Sequence, residues 1–380
     1  MKNKLGDICS FQSGGTPSKA NADYYCGDIP WITTVALNGQ TIGKTAAVDW
    51  ITEKAIEESA AKIVPARSIM VGTRVGVGKV AINEVPMSTN QDIISLVGVN
   101  ESLWSKEYIC KLIQSKETYL KSQARGATIK GIKIDVLASL DIPDVPLDLQ
   151  QEIVAVLDKV QSILVARRLQ LSALDDLIKA RFVEMFNLDK CKWGTFGKKT
   201  DFVDYRGHTP ELSDDGTIRM INAKSVGKGF FKYVNEYVTE EIYDSWMHRG
   251  FGYPGDILFV TEGHTFGNTC LIPSDLSKFA LGQRVITIKA HKEVICNEFL
   301  FAYMQTDRFW KDINVYRTGG TAQGIRSKDL IKVKLPLAPI KDQKEYASFI
   351  AQIDKSKSAI QKSLDETQIL FDSLMQKYFG

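Results

Sequence analysis

From position 147 the chain runs LDLQQEIVAVLDKVQSILVARRLQLSALDDLIKARFVEMF, about forty residues with neither glycine nor proline. Leu157, Val160, Leu164, Leu171, Leu174 and Ile178 fall on alternating three- and four-residue steps, and Arg167 and Arg168 interrupt that seam once. A second stretch of this kind follows position 340. Its seam is Ile350, Ile353, Ile360, Leu364, Phe371, Leu374 and Tyr378, with Lys357 and Thr367 as polar interruptions. Apolar residues at the first and fourth places of a heptad predict two long helices that bury their seams against each other as a coiled coil. At 1.5 Å per residue, a helix of about 38 residues spans roughly 57 Å. Each helix leads away from a globule, so an antiparallel pair would hold the globules at opposite ends. A long helix lying on a globule surface is the alternative, and so narrow and long a seam argues against it.

Ahead of each helix the pattern changes. Short apolar, β-branched runs (SIMVG, KVAIN, DIISLVG in one part, DILFV and RVITIK in the other) are separated by Gly/Pro turns and predict strands. One helical patch follows the last strand of each part, at 105–120 and at 297–310. Each part is therefore expected to be a compact α+β globule. The expected fold class is α+β, with two tandem pseudo-symmetric globules at 1–146 and 191–338 and long helices at 147–190 and 339–380. A chain of 380 residues is too long for one core, which agrees with two domains and connectors.

The two parts are copies of one another. A shift of 193 residues carries Thr128 to Thr321, Gly126 to Gly319, Gly131 to Gly324, Ile132 to Ile325 and Lys133 to Arg326. The same shift carries Leu137 to Leu330, Pro143 to Pro336, Pro146 to Pro339, Gln150 to Gln343 and Glu152 to Glu345. Registered matches of this length mark an internal duplication. Further back the shift drifts: SGGTPSK (13–19) faces YRGHTPE (205–211), GDIPWI (27–32) faces DGTIRMI (215–221), and NQDIISL (90–96) faces GQRVITI (282–288). VPARSIMVGTRVGVGKVAI (64–82) faces YPGDILFVTEGHTFGNTCLI (253–272). Shared framework with divergent loops points to one scaffold carrying two different faces.

Candidate chemistry narrows the picture mainly by exclusion. No stretch approaches the twenty or so apolar residues of a membrane span, and the start, MKNKLGDICSFQ, has no apolar run long enough for a secretion signal. Cysteines 9, 26, 110, 191, 270 and 296 form no CxxC pair, against zinc and against a disulfide framework, so a reducing cytoplasm is expected. TRVGVGKVA (73–81) ends in GK but is followed by Val80, so it lacks the magnesium-binding hydroxyl of a P-loop. In GATIKGIK, Ile132 stands where the lysine would be. Histidines 208, 248, 264 and 291 lack metal spacing, and no Asn/Asp-Pro-Pro-aromatic methyltransferase signature occurs. His264, in the turn TEGHTFGN, is expected to be a contact or structural residue. No catalytic site, metal or cofactor is predicted.

What remains is recognition. Loops such as SGGTPSK (13–19) and RGATIKGIK (125–133) combine Gly with Thr, Lys and Arg: glycine lets backbone N–H groups approach a phosphate, while hydroxyls and cations complete the contact. Base edges are read by Arg, Lys, Asn and Gln on a rigid frame. The DNA-contact candidates in the first globule are Thr16, Ser18, Lys19, Arg74, Lys79, Asn90, Gln91, Arg125, Thr128 and Lys130. In the second they are Arg206, Thr209, Lys224, Glu262, His264, Gln283, Arg284, Arg317, Thr321, Gln323 and Arg326. The copies differ in useful places: Lys19 faces Glu211, Arg74 faces Glu262, and Thr318 is read as an extra residue in the second loop. A glutamate accepts from cytosine N4, so Glu262 is a candidate reader. Trp31 is expected in the core. A net charge of +3 permits nucleic acid without demanding it.

LGDICSFQSGGTPSK with GDIPWI, the GATIKGI loop leading into LDIPDVPLDLQQEIVAVLD, and the second copy TGGTAQGIRSKDLIKVKLPLAPIKDQKEYASFI carry a family resemblance. Over essentially its whole length the chain resembles the specificity subunit of type I restriction–modification systems. That resemblance implies two target-recognition domains, each reading one half of a split, asymmetric sequence in double-stranded DNA. It implies that the long helices act as a ruler between half-sites and dock two methyltransferase subunits, joined by nuclease–translocase subunits. It also implies a subunit that is not itself an enzyme. Half-sites one helical turn apart lie roughly 34 Å apart. A self-contained methyltransferase or nuclease lacks its motifs here. A coiled-coil scaffold for protein or glycan partners is the rival that composition leaves standing, and salt-dependent duplex binding separates it from a DNA reader.

Overall fold

The structure is a computed structural model that describes residues 3–126, 131–205, 209–319 and 323–380. It divides into two compact units, Met1–Arg168 with Lys362–Gly380, and Leu169–Gln361. Among the described residues, no helix is long and apolar enough to cross a membrane.

In the first unit a five-stranded sheet runs in the order Ser10–Ser13, Ile93–Val97, Ile69–Gly72, Val80–Asn83, Thr41–Ile42. Its first four strands pair antiparallel and the last is parallel. A second sheet has the order Asp49–Ile51, Ile29–Ile32, Met87–Thr89, Ile63–Val64. In the second unit the strands Thr200–Asp204, Val285–Ala290, Ile257–Val260 and Thr269–Leu271 repeat the antiparallel order of the first four. Tyr237–Val238, Ile218–Ile221 and Ala280–Leu281 repeat three strands of the second sheet, again with one antiparallel and one parallel pairing. The duplication read from the sequence is thus a duplication of topology. The most apolar runs are the central strands: Ile69, Val71, Val80 and Leu96 in one core, Ile257, Phe259, Ile286 and Ile288 in the other, all fully buried. Trp31 is core as expected, 4% exposed with its indole N–H on the Gly15 carbonyl.

The single helical patch expected in each globule is two helices. Lys106–Ser115 gives way to Glu117–Gln123, and Asn297–Met304 to Asp307–Asn314. In the second case Thr306 restarts the helix, its hydroxyl accepting the Phe309 N–H at 3.3 Å. In the first, the Ser115 hydroxyl turns back to the Leu112 carbonyl at 2.7 Å, competing with the backbone ladder where the two helices meet.

The long helices are Leu147–Met185 and Ile340–Phe379. In the first unit, Ile153 and Leu157 share a core with Phe379, while Arg168 donates to Gln368 at 3.4 Å, so the two segments run antiparallel. In the second unit, Arg181 faces Glu345 at 3.3 Å and Asp175 faces Lys357 at 2.6 Å, the same antiparallel sense. Every expected seam residue of both helices is buried or half-buried. One detail differs: Arg167 occupies a seam position, whereas Arg168 is exposed and lies off it.

Each long helix is fastened to its globule by a fully buried glutamine in its first turns. Gln150 accepts from Ser105 N–H and donates to the carbonyls of Leu103 and Val145, at 2.8 to 3.1 Å. Gln343 repeats this with Cys296 N–H and the carbonyls of Val294 and Ala338. Amide side chains saturated by backbone groups are the polar equivalent of close packing.

Candidate nucleic-acid interface

Two buried threonines organise the loops that the sequence singles out. Thr73 donates its N–H and its hydroxyl to the Asp92 carbonyl, at 2.8 and 3.1 Å, and its own carbonyl accepts Ile132 N–H at 2.8 Å. Thr261 does the same with the Arg284 carbonyl, at 2.8 and 3.2 Å, and Ile325 N–H at 2.8 Å. Each threonine therefore ties three loops into one platform: the hairpin turn after it, the loop before the next core strand, and the loop closed by Arg125 and Gly131 or by Thr318 and Gly324. Glycine is required where the third loop passes the first. A Cβ on Gly131 would stand 2.9 Å from Arg74 Cγ, and one on Gly324 2.9 Å from Glu262 Cβ.

On the first platform, Arg74, Gln91 and Arg125 are all exposed, and Arg74 has no ion-pair partner among the described residues. The Thr16 hydroxyl donates to Gln91 Oε1, which draws the SGGTPSK loop to the platform, with Ser18 and Lys19 exposed on it. Lys79 is exposed at the end of the adjoining hairpin. On the second platform, the Arg284 guanidinium lies 3.3 Å from Glu262 Oε1, both side chains about half exposed. Gln323 sits beside them, its carbonyl accepting Gly263 N–H, and Gln283 is half-buried next to Arg284. His264 is exposed in the same turn. Because Thr73 and Thr261 grip Asp92 and Arg284 identically, Asp92 is the structural counterpart of Arg284, as Arg74 is of Glu262. The charges at this pair of positions are inverted between the platforms.

Other expected contacts lie elsewhere. Lys224 is exposed but paired with Glu236, away from the platform; that hydrogen bond, ahead of one from Asn222, holds the Glu236 carboxyl below its ordinary range. Arg326 reaches Asp329 at 3.0 Å, and Arg317 reaches Asn314 at 3.3 Å. Thr209 is exposed. Thr128, Lys130, Arg206 and Thr321 lie outside the described residues.

Three expectations are corrected. Asn90 is 8% exposed and its amide is engaged with Asp92, so it shapes the loop instead of facing solvent. Gly14 and Gly15 do not offer N–H groups to a phosphate: they donate to the carbonyls of Ile93 and Thr89. A Cβ on either would come within 2.2 Å of backbone or side-chain oxygen, so close packing is what demands glycine there. Thr318 is not an extra residue. Arg125 pairs with Gly131 and Thr318 with Gly324, six residues apart in each copy, so Thr318 is the counterpart of Arg125 and Arg317 stands one place outside. The residues that sequence reasoning missed are Thr73 and Thr261, whose signal was their shared place after the aligned strands VG-T and FV-T.

A family model described as type I restriction modification DNA specificity domain matches the chain twice, at residues 1–171 and 200–368. The MjaIX type I restriction enzyme specificity subunit of Methanocaldococcus jannaschii is 31% identical over 298 residues, covering 77% of this chain and 64% of that protein. The EcoR124I/EcoR124II specificity subunit of Escherichia coli is 35% identical over 162 residues, covering 41% of this chain and 39% of that protein. The chain thus spans less than two thirds of either relative's length. In fold it is similar to the type I restriction-modification S subunit from M. genitalium, at 15% identity and a TM-score of 0.58, covering all of this chain and 96% of that one. A chain from a structure of type I R-M complex assembly and conformational transition gives 14% identity and a TM-score of 0.60, over all of this chain and 97% of that one.

Proposed function

The chain belongs to the type I restriction modification DNA specificity family, and from that membership we propose that it is the non-catalytic, sequence-reading subunit of a type I restriction–modification complex. The recognition domains are residues 1–146 and 191–338, and the spacer helices are residues 147–190 and 339–380. Each domain reads one half of a bipartite, asymmetric duplex site. The helices set the gap between half-sites and dock two methyltransferase subunits, with nuclease–translocase subunits joining the assembly in the cytoplasm.

The observation that carries this reading is the three-loop platform built twice on one backbone plan with different side chains. One plan repeated is what two DNA half-sites of one geometry need, and inverted charge at matched positions is what two different sequences need. Arg74, Lys79, Gln91 and Arg125 are the reading or phosphate-contacting residues of the first domain. Glu262, Gln283, Arg284 and Gln323 are those of the second, with Thr16, Ser18, Lys19 and His264 at their margins. Binding of the chain to duplex DNA across a salt series tests the reading. A steep fall in affinity with rising salt is expected, because phosphate neutralisation releases counterions. Affinity that is indifferent to salt would favour the scaffold for protein or glycan partners.

A further inference from the structure

The second unit carries a surface feature outside the platform. Residues 226–231, VGKGFF, close a tight hairpin in which Val226 pairs with Phe231 and Gly227 N–H donates to the Phe230 carbonyl. At its tip Gly229 takes a φ of +91°, a conformation costly for any other residue, and its N–H donates to the Thr269 carbonyl at 3.0 Å. The Asn268 amide donates to the Val226 carbonyl at 3.1 Å. The hairpin is thus fastened to the far end of the turn that carries Glu262 and His264.

The aromatic side chains on this hairpin and just after it are held differently. Tyr233 is locked: its hydroxyl donates to Asp275 at 2.8 Å, Arg219 lies 5.4 Å above its ring, and Phe231 packs edge-on at 5.0 Å. The Phe230 side chain has no hydrogen bond or ring partner among the described residues; its ring edge rests against Gly227, where a Cβ would stand 2.8 Å from it. It is 55% exposed, with the Lys232 amine 5.4 Å from its ring centre and Lys228 exposed two residues before it. An apolar ring on a fastened hairpin between two cations has the elements of a wedge that enters a base step while lysines neutralise the phosphates on either side. A protein partner fits the patch less well, because the cores of protein interfaces are depleted in lysine, and Lys228 and Lys232 lie two residues to either side of Phe230 in the chain, the latter over its ring. The matching stretch of the first globule, residues 33–50, contains no phenylalanine.

We propose that Phe230 is an intercalating wedge that unstacks one base step of the duplex held by the second domain, with Lys228 and Lys232 on the flanking phosphates. The proposal rests on the DNA-reading function above and adds to it a deformation confined to one half-site.

The test uses the full chain with its methyltransferase partner and a duplex carrying the bipartite site returned by methylation mapping. 2-Aminopurine is placed at successive positions of each half-site. Apart from the target adenines, which a methyltransferase flips out of the stack, the wild-type complex should brighten several-fold at one step of the second half-site and at none of the first. Phe230→Ala should abolish the brightening and weaken binding by roughly tenfold, and Phe230→Leu should restore part of both. Wild-type binding with no brightened step, or a Phe230→Ala complex that brightens like wild type, would overturn the wedge alone. Loss of methyltransferase retention in Phe230→Ala, with DNA affinity intact, would make the patch a protein-docking surface and also overturn it. Absence of salt-dependent duplex binding by the wild-type chain would overturn the DNA reading, and the wedge with it.

Discussion

Glu262 and Arg284 face each other at 3.3 Å on the second platform, at the two positions where the first platform has Arg74 and Asp92. Arg284 holds this place with a φ of +70°, a region that bulky residues rarely occupy. On the first platform Asp92 is engaged by the Asn90 amide at 3.0 Å, and Arg74 is exposed without an ion-pair partner among the described residues. One platform therefore presents a donor and the other an acceptor steadied by a cation.

Glu262→Gln should change the base preferred at one position of the second half-site and leave the first half-site intact, with discrimination falling by about 1–3 kcal/mol. Sequencing of methylated sites in cells carrying the variant checks this. An unchanged motif would remove Glu262 from the readers.

Arg284→Gly should fold at least as well as wild type, since glycine suits the left-handed conformation and removes about 1 kcal/mol of strain. Its second half-site should nonetheless lose selectivity at the position Glu262 reads, because the carboxylate is no longer steadied. Thermal melting and methylation mapping on the same variant separate the two effects.

Gln150 and Gln343 predict equal and separate damage. Gln150→Leu leaves Ser105 N–H and two carbonyls without partners in a buried place, and should destabilise the first unit by about 2–4 kcal/mol. Gln343→Leu should do so to the second unit. Hydrogen exchange resolved along the chain should show protection lost in the unit that carries the substitution and kept in the other.

A pH dependence follows from Glu101. Its hydrogen bond from Lys106, whose side chain is 9% exposed, and a second from Arg67 hold its carboxyl below the ordinary value of 4.5. A lowered folded value means the carboxylate stabilises the fold above pH 4.5, and that this contribution fades as pH falls through the lower folded value. Glu101→Gln should cost about 1 kcal/mol at neutral pH, kept small because Glu101 is half exposed and water screens the pair. In urea titrations the gap between variant and wild type should close on acidification. A gap that does not depend on pH would contradict the assignment.

Much of this architecture is legible in the sequence because it rests on periodicity. Leu157, Leu164 and Leu171 recur every seven residues, and the shift from Gln150 to Gln343 or Gly131 to Gly324 is uninterrupted, so helices, globules and duplication all follow. What stayed hidden depends on tertiary partners. Nothing local says that Gly14 and Gly15 abut Thr89 and Ala60, or that Asn90 turns inward to Asp92. The alternation of three- and four-residue steps, 160, 164, 167, 171, in fact places Arg167 on the seam and Arg168 off it, as the structure has them. The alignment of residues 90–96 with 282–288 already set Asp92 against Arg284, as Arg74 was set against Glu262, but that Glu262 and Arg284 meet as an ion pair on one platform shows only in the fold.

The central claim is that one chain reads two half-sites. Its most direct test is to express the chain with its partner methyltransferase in a methylation-free host and sequence the genome for modified adenines. A single bipartite motif with a gap of fixed length, one half altered by Glu262→Gln and the other by Arg74→Ala, is the predicted result. A stable complex that leaves the genome unmodified, or a motif with one half only, would contradict it.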